Sequence, residues 1–405
     1  MAQYAVTTAG AVLKFDTNND YQNSCCIIDS NHFVNLFGGT IDSKATVQVF
    51  AVNTSTWAVT TAGAILNLGY KGNANALVQV DTNHFICFSY DMSIFKGYVG
   101  TVVVNTSTWA VATSSSSLEF MGGGDGQYLH AVKIDANHFL CCYCGLDADG
   151  FAQVFTVNTT TWAVTTAAKA LEYDTQYGNY PHLCQIDSNH FLNFWQGVDN
   201  DAFVQVLAVN TSTWAVTTAG AVLEFDTAYG GGFSSYKIDD THFITFWCGT
   251  NDYDGYVQIF AVNTSTWAVT TANSSLEFDT SKNFYNSCFQ FDSNHFINFW
   301  QGVDGDGFAQ VFTVNTSTWA VTTAAAKLEF DTQECDYNSC YQIDTNHFIN
   351  FWAGVDGDGY VQTFAVEGAA SGPAKLKTLN TVAKASIKTI NTNTIANTKT
   401  WNTIT

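Results

Sequence analysis

The chain of 405 residues contains no arginine, only two prolines and no long apolar segment. All fourteen basic residues are lysines, and thirty-five acidic residues give a formal net charge of -21. Because phosphate recognition favours a basic, arginine-bearing surface, we predict that the chain does not bind nucleic acid. No run reaches the roughly eighteen apolar residues of a membrane helix, so we predict no membrane span. The first residues, MAQYAVTTAG, lack the basic and then apolar pattern of a signal peptide.

Cysteine is plentiful, but its spacing predicts neither a disulfide framework nor a metal site. Most of the eleven cysteines fall inside predicted strands rather than in loops. We therefore predict buried, free thiols that pack as small apolar side chains. The densest cluster is Cys141, Cys142 and Cys144, and no second pair lies at the ligand spacing of a zinc site.

The sequence is organised by a repeat of about fifty residues. Asn-His-Phe, or Thr-His-Phe once, marks seven copies at intervals of 52 to 54 residues, with the histidines His32, His84, His138, His190, His242, His295 and His347. A second marker, Thr-Trp-Ala-Val, occurs six times, at Trp57, Trp109, Trp162, Trp214, Trp267 and Trp319. Its seventh counterpart is Tyr4-Ala5-Val6-Thr7-Thr8, while the last repeat stops after Val366. The first residues therefore complete the last repeat.

Each repeat has the composition of four short strands separated by polar turns. In the copy at 285–332 these runs are Ser287–Phe291, His295–Trp300, Phe308–Val314 and Thr318–Thr323. A solenoid needs atypical capping repeats at its two ends, whereas these ends are complementary parts of one unit. We predict an all-β fold, a seven-bladed β-propeller with four antiparallel strands per blade and the N-terminal strand completing the last blade.

The composition divides the chain into a propeller at 1–366, a linker at 367–373 and a basic tail at 374–405. The tail repeats Lys-Thr-x-Asn-Thr every eleven residues, and its assembly residues are predicted to be Lys377, Leu379, Lys388, Ile390, Lys399 and Trp401. With five lysines and no acid it carries about +5, against −26 for residues 1–367 with nine lysines and thirty-five acids. A helical coil, an extended segment added to a neighbouring sheet and a disordered tail are the alternatives.

The repeat pattern resembles the seven-bladed propellers with strand-exchange closure of WD-repeat and lectin-type proteins, and its near-identical copies look like a recently amplified propeller. The Trp-Asp and Gly-His signatures of WD repeats are absent, so that family's partners are not implied. The tail resembles the Lys-Thr-x-Asn repeats at the ends of phage and metagenomic surface proteins. This resemblance implies a virion or an extracellular surface as the place of action.

The segments that vary between repeats form one rim of the predicted disc, and we place the recognition surface there. Binding groups are often carried by loops on a rigid scaffold, although neutral drift of these loops is the alternative. The candidate binding residues are Asp147, Asp149, Asp199, Asp201, Asp304, Asp306, Asp356, Asp358, Tyr180, Tyr285 and Tyr337. The paired carboxylates suit calcium, and an ordinary Asp-Gly hairpin turn is the alternative. No other cofactor is predicted.

Three sets of aromatic residues invite a catalytic or binding interpretation. The seven repeated histidines lie far apart on a ring, so we predict that each stabilises its own turn with the adjacent Asp and Asn. The second strands place Phe37, Ser89, Tyr143, Trp195, Trp247, Trp300 and Trp352 at one position, which predicts inter-blade core, with a sugar-binding platform as the alternative. His130 and His182 are predicted to face the channel, as solvated residues or as two ligands of a metal or carboxylate.

We predict a non-enzymatic binding and assembly protein with no catalytic residues and no metal site. The variable rim is its recognition surface for a glycan or protein, and the basic tail docks on another subunit to build an oligomer or fibre. A lectin-like carbohydrate-binding propeller is the alternative. Enzymes of the sialidase-type propeller are disfavoured because they depend on arginines, and this chain has none.

Overall fold

The computed structural model describes residues 4–17, 21–39, 44–71, 73–91, 93–122, 128–249 and 253–368. These residues form seven antiparallel sheets. The first strand of each sheet packs against the first strands of the sheets before and after it, and the seventh returns to the first. The chain is therefore a closed seven-bladed β-propeller, as the repeat predicts. Within the described part of the chain, no helix has the length and apolarity needed to cross a membrane.

Blades are numbered in chain order, and β1 (Val6–Thr8) and β2 (Leu13–Lys14) belong to the last of them. Blade 1 contains β3 (Tyr21–Ile27), β4 (His32–Gly39), β5 (Lys44–Val52) and β6 (Val59–Lys71). Blade 2 contains β7 (Asn73–Gln79), β8 (His84–Asp91), β9 (Lys96–Val104), β10 (Val111–Thr113) and β11 (Leu118–Gly122). Blade 3 contains β12 (Leu129–Lys133), β13 (His138–Cys144), β14 (Gly150–Val157), β15 (Val164–Thr166) and β16 (Leu171–Asp174).

Blade 4 contains β17 (Asn179–Gln185), β18 (His190–Gln196), β19 (Ala202–Val209) and β20 (Val216–Asp226). Blade 5 contains β21 (Gly230–Lys237), β22 (His242–Gly249), β23 (Asp254–Asn263), β24 (Ala268–Thr271) and β25 (Leu276–Asp279). Blade 6 contains β26 (Phe284–Gln290), β27 (His295–Gln301), β28 (Gly307–Val314), β29 (Val321–Thr323) and β30 (Leu328–Asp331). Blade 7 contains β31 (Asp336–Gln342), β32 (His347–Ala353) and β33 (Gly359–Val366) besides β1 and β2.

The seventh blade is completed by the beginning of the chain. Strand β1 pairs antiparallel with β33, so that Val6 lies opposite Val366 and Thr8 opposite Phe364. Strand β2 continues this edge, with Leu13 opposite Val361. This pairing removes two free sheet edges, which would otherwise be open to pairing with other chains. The predicted closure of the ring is confirmed.

The strand boundaries differ from the prediction at several places in blade 6, where the first strand begins at Phe284 rather than Ser287. Its last strand begins at Val321 rather than Thr318, because Trp319 has a left-handed backbone (φ 58°) and donates its N–H to the carbonyl of Asn315 at 2.6 Å. The outer edge then resumes as β30, which pairs with β28 and which the predicted strands do not include. Four residues are too few for the alternation of a strand to stand out from a polar connection.

The core lies between blades rather than within one sheet. Phe246 of blade 5, for example, packs edge-on against Phe312 of blade 6 with 4.9 Å between ring centroids. The repeated second-strand position is buried in every blade, at Phe37, Ser89, Tyr143, Trp195, Trp247, Trp300 and Trp352. Fully burying one such aromatic side chain contributes roughly 2–3 kcal/mol. This position is inter-blade core and not an exposed sugar platform.

Candidate functional site

The two rims of the disc differ in what they carry. The histidine rim holds the turns between the first and second strands and between the third and fourth. The tyrosine rim holds the turns between the second and third strands and the connections between blades. The register shows this division, because Asn179 at the start of blade 4 lies opposite Gln196 at the end of its second strand. Ala202 lies opposite both Gln196 and Asp226 at the same edge.

Each repeated histidine on the histidine rim is bound to the aspartate three residues before it. The Nδ1 atom of His32, for example, lies 2.9 Å from Oδ1 of Asp29, which also accepts the backbone N–H of Asn31 and of His32. Partial burial alone would raise the pKa of Asp29, but these hydrogen bonds outweigh it and hold the pKa below its ordinary value. The predicted role of the histidine in its own turn is correct.

The sequence did not reveal a second contact of these histidines, with the next blade. Six of the rings stack on the tryptophan of the Thr-Trp-Ala-Val turn of the following blade, with ring centroids 3.5 to 3.6 Å apart: His32 on Trp109, His84 on Trp162, His138 on Trp214, His190 on Trp267, His242 on Trp319 and His347 on Trp57. His295 stacks instead on Tyr4, at 3.9 Å. Tyr4 thus replaces the missing seventh tryptophan, and the histidines join blades at seven separate places around the ring.

The asparagine before each of these tryptophans shapes the turn. Oδ1 of Asn53 accepts the backbone N–H of Ser55 at 2.9 Å and of Thr56 at 3.2 Å, and the five equivalent asparagines do the same. This is an Asx turn, which places the tryptophan in its left-handed conformation. The presence of asparagine at this position in all six turns follows from this geometry.

On the tyrosine rim, one repeat position surrounds the mouth of the central channel. It is occupied by Gln22, Tyr128, Tyr180, Gly232, Tyr285 and Tyr337 in the six blades where the side chain is described. The backbone is left-handed at Tyr180 (φ 48°), Tyr285 (φ 53°) and Tyr337 (φ 52°), within a bulge at the start of the first strand. A left-handed conformation costs an ordinary residue roughly 1–2 kcal/mol, and glycine adopts it freely, as Gly232 does here.

The tyrosines of the mouth pack as two pairs. The rings of Tyr128 and Tyr180 lie 3.8 Å apart, and their hydroxyl oxygens are 3.0 Å apart. The rings of Tyr285 and Tyr337 lie 4.3 Å apart. The mouth contains a cavity of about 170 Å³, lined also by Asn286 and Asn338. Burial raises the pKa of Tyr180 and Tyr285, so both hydroxyls remain protonated at neutral pH and can donate a hydrogen bond.

His130 and His182 lie just inside the mouth, with their rings stacked at 4.1 Å. His130 accepts the backbone N–H of Leu183 in the next blade at its Nδ1 atom, at 3.0 Å. Ser287 has the same role three blades further round the ring, since its hydroxyl accepts the N–H of Cys340 at 2.9 Å. Although each ring keeps some exposed surface, surrounding protein desolvates both, and this lowers the pKa of His130 to about 4 and that of His182 well below its usual value. The pair is therefore neutral at physiological pH.

One carboxyl beside the mouth titrates near neutrality. Burial, together with the neighbouring Glu334, raises the pKa of Asp336 to about 7, although a hydrogen bond from the Gln301 amide favours its charged form. Asp336 directly precedes Tyr337 in β31. The charge of the mouth therefore changes within the physiological range.

The predicted aspartate loops lie further out on the same rim. In four of them a short 3₁₀ turn follows the second strand, at Leu146–Ala148, Val198–Asn200, Val303–Gly305 and Val355–Gly357. The first aspartate of each loop is exposed and left-handed, at Asp147, Asp199, Asp304 and Asp356. The second, at Asp149, Asp201, Asp306 and Asp358, follows the turn and is partly or fully buried.

The described residues contain no group of three or more histidine, cysteine or acidic side chains arranged to hold a metal ion. Calcium binding by the aspartate loops stays a prediction. The eleven cysteines are free thiols, ten of them buried, as predicted. Burial raises the pKa of Cys25 and Cys288 to about 12.

The structure therefore brings some predicted site residues together and separates others. Tyr180, Tyr285 and Tyr337 meet in one mouth, joined by Tyr128, which the sequence reading left out. Tyr128 occupies the same repeat position, ten residues before the histidine of its own blade as the other three tyrosines are, so the sequence does show the correspondence. The aspartates are distributed one loop per blade. The predicted tail residues Lys377, Leu379, Lys388, Ile390, Lys399 and Trp401 lie outside the described residues.

The outer part of the tyrosine rim has a further feature, which we call the ammonium slot. In blade 6 it consists of Trp300, Phe308 and Asp279, the last from blade 5. The two rings stack at 5.9 Å, and the indole N–H of Trp300 donates to Oδ2 of Asp279 at 2.9 Å. Lys327 occupies this slot, because its ammonium lies 2.9 Å from the same oxygen and 4.2 Å from the centroid of Phe308. The sequence reading did not single out Lys327, which has no lysine counterpart in the other repeats.

Comparison with known protein families and with curated proteins finds no match. Solved structures do match the fold. A putative 6-phosphogluconolactonase from Bacteroides fragilis aligns with a TM-score of 0.57 and 14% identity over 76% of this chain and 84% of that one. Sqt1 from Chaetomium thermophilum aligns with a TM-score of 0.54 and 14% identity over 93% of this chain and 88% of its own. The structure of the same Sqt1 bound to the N-terminus of ribosomal protein L10 aligns with a TM-score of 0.53 and 12% identity over 86% of each chain. At these identities the likeness shows a shared fold alone.

Proposed function

We propose that this chain is a non-enzymatic binding and assembly protein that recognises its partner with the tyrosine rim. The observation that carries the proposal is the set of tyrosines around the channel mouth. Three of them have a left-handed backbone, and Gly232 has the same conformation at the equivalent position of blade 5. Backbone strain of this kind is often retained at recognition sites, because it aims a side chain that a relaxed backbone would not. Tyrosine also supplies a large contact area at little cost in side-chain entropy.

The partner we propose is the basic tail of another copy of the chain. Residues 1–367 carry −26 by formal charge, and the tail carries about +5. Complementary charge of this size steers association and suppresses wrong partners. The structural neighbour Sqt1 is known bound to the N-terminus of ribosomal protein L10, which supports the idea that this fold can hold a chain terminus. Repeated docking of this kind would build an oligomer or fibre at a virion or cell surface.

The histidines support a binding role rather than a catalytic one. Each of the seven on the histidine rim has its Nδ1 atom beside an aspartate and its face against an aromatic ring of the next blade. His130 already accepts a backbone N–H, and its low pKa makes it a poor base at neutral pH. These groups are engaged in joining blades.

The proposal is tested by the state of association in solution. The full chain should form oligomers at about 20 mM salt and dissociate at about 0.5 M, where screening shortens electrostatic range to a few ångströms. A variant that ends at Gly368 should be monomeric at both, as measured by analytical ultracentrifugation. The matched control keeps the tail but changes its five lysines to glutamine, and should also be monomeric. A full chain that is monomeric at low salt contradicts the assembly proposal.

A lectin-like role is the second candidate, favoured by the polar and aromatic lining of the mouth. Stacked tyrosines and the amides of Asn286 and Asn338 are groups that recognise sugar rings and hydroxyls. A glycan array probed with the full chain, with and without calcium, tests this role. The matched control is Tyr180→Gly together with Tyr285→Gly, which removes two rings at a position where Gly232 already fits the backbone. If this variant keeps the same glycan signals as the parent, the sugar does not bind at the mouth.

A further inference from the structure

We propose that the ammonium slot of blade 4 binds a lysine side chain from the tail of a second copy of this protein. This inference rests on the proposed function and assigns a site to it. The slot consists of Trp195 and Phe203 of blade 4 and Asp174 of blade 3. It repeats the slot of blade 6, in which the protein's own Lys327 is already bound.

The two slots have the same frame. In blade 4 the rings of Trp195 and Phe203 stack at 5.7 Å and 24°, and in blade 6 those of Trp300 and Phe308 stack at 5.9 Å and 28°. The indole N–H of Trp195 donates to Oδ2 of Asp174 at 2.8 Å, matching the 2.9 Å bond to Asp279. Asp174 is therefore held beside the rings of blade 4 in the same way as Asp279 is held beside those of blade 6, where it binds Lys327.

The two slots differ in what covers them. Phe308 and Asp279, which Lys327 contacts, are each only 4% exposed. Val222 holds the corresponding place in blade 4, since Leu223 lies opposite Val204 as Leu328 lies opposite Ala309. Its side chain is uncharged, too short to reach the carboxylate, and 51% exposed. Phe203 and Asp174 are accordingly both partly exposed.

The chemistry of the slot selects a primary ammonium. A cation over an aromatic face is attracted by the ring's negative π-surface, and a carboxylate at the ring edge adds a charge-assisted hydrogen bond. Blade 7 shows the same preference in another way, because Lys14 forms an ion pair with Asp358 and lies 5.8 Å from the Tyr360 centroid. The protein therefore places its own lysines against this aromatic position twice.

The tail of another copy is the occupant that the charges favour. All five basic residues of the tail are lysines, and no acidic residue accompanies them. The slot lies at the outer part of the tyrosine rim, beside the 3₁₀ turn at Val198–Asn200 with its exposed Asp199. A lysine-rich segment that reaches the rim would thus find both a long-range negative field and a fitted position for one side chain.

The test uses the full chain with its five tail lysines changed to glutamine, so that its own tail does not compete. It is labelled with ¹⁵N at the tryptophan indoles and titrated with a synthetic peptide of residues 374–405. The peptide should shift the indole signal of Trp195, which is assigned with Trp195→Phe, and should leave that of Trp300 unchanged because Lys327 already fills its slot. Val222→Lys, which copies blade 6, should raise the apparent Kd read from Trp195 by more than tenfold. Val222→Met introduces a side chain about as long as lysine but without its charge, and it should leave this apparent Kd unchanged.

The remaining outcomes separate the site from the broader proposal. If the peptide binds by calorimetry but Trp195 does not respond, the blade 4 slot is wrong and tail docking survives. If the peptide does not bind at all, both proposals fail. If a scrambled peptide of the same composition shifts Trp195 equally, the slot takes any lysine-rich chain and the tail is not its specific occupant.

Discussion

The two rims of this propeller are built from the same repeat but differ in how much they vary between blades. On the histidine rim every blade has the same turn, and each turn joins its neighbour through a histidine stacked on an aromatic ring. On the tyrosine rim the equivalent segments differ in length and composition from blade to blade. The comparison indicates that the histidine rim repeats one blade-to-blade joint around the ring, whereas the tyrosine rim varies in sequence from blade to blade. Three sets of substitutions, with one prediction for each, follow in order of decreasing expected effect.

The largest loss is expected where the ring closes. Thr7→Pro places a residue without a backbone N–H opposite Ala365 in the β1–β33 pair. We expect the free energy of unfolding to fall by about 3 kcal/mol or more, since proline is excluded from paired strands. Urea denaturation followed by tryptophan fluorescence measures this loss. Thr7→Val, which keeps the strand, is the control, and equal stability of the two variants would show that β1 is dispensable.

A smaller loss is expected from one joint of the histidine rim. Trp319→Ala removes the ring that stacks on His242 at 3.6 Å, and we expect a loss of about 2 kcal/mol. Trp319→Tyr should lose less than half of this, because Tyr4 holds the same place against His295. Tyr337→Gly on the tyrosine rim should stay within about 1 kcal/mol of the parent, since relieved backbone strain offsets lost packing. Thermal unfolding of the three variants compares the rims directly, and equal losses would remove the distinction.

The smallest effect concerns pH on the tyrosine rim. The folded-state pKa of Asp336 is about 7, above the value of about 3.9 in an unfolded chain. Folding therefore favours the protonated form of Asp336 and is opposed by its ionisation. The stability that the protonated carboxyl contributes is fully present below about pH 4 and is lost progressively until the pH exceeds about 7. The pKa difference alone would give about 4 kcal/mol, but solvent screens this partly exposed carboxyl, so we expect Asp336→Asn to be more stable than the parent by about 1 kcal/mol at pH 8 and equal to it near pH 4. Thermal unfolding across this range, with the exposed Asp147→Asn as control, measures the difference, and a pH-independent gain would contradict the assignment.

The repeat made the fold predictable, and the contacts between repeats were the part that it did not reveal. The histidine intervals and the split last unit were enough to predict seven blades and their closure. Trp109 and His32 were each recognisable as repeated, but nothing in either sequence position shows that the two rings meet across a blade boundary. The left-handed turn that aims Trp109 depends on the hydrogen bonds of Asn105, which composition alone does not locate.

The candidate site was predictable in outline for a similar reason. Variation among the copies pointed to one rim and to three tyrosines that meet at its mouth. The pairing of those rings depends on a bulge and a positive φ, which are invisible in a strand pattern. The repeat pattern does not indicate a role for Lys327, because only one copy has lysine at this position. Its role depends on the aromatic and acidic side chains that it contacts in the folded protein.

The pairing of β1 with β33 also has a consequence for biosynthesis. Thr7 and Ala365 are neighbours in space but 358 positions apart along the chain. During translation the residues of β1 leave the ribosome long before those of β33 and cannot pair with that strand until the final blade has been made. Contacts so distant in sequence form slowly, because a long loop must close before they are gained. Until then β1 remains an unpaired strand, and chaperone protection would matter most for that interval.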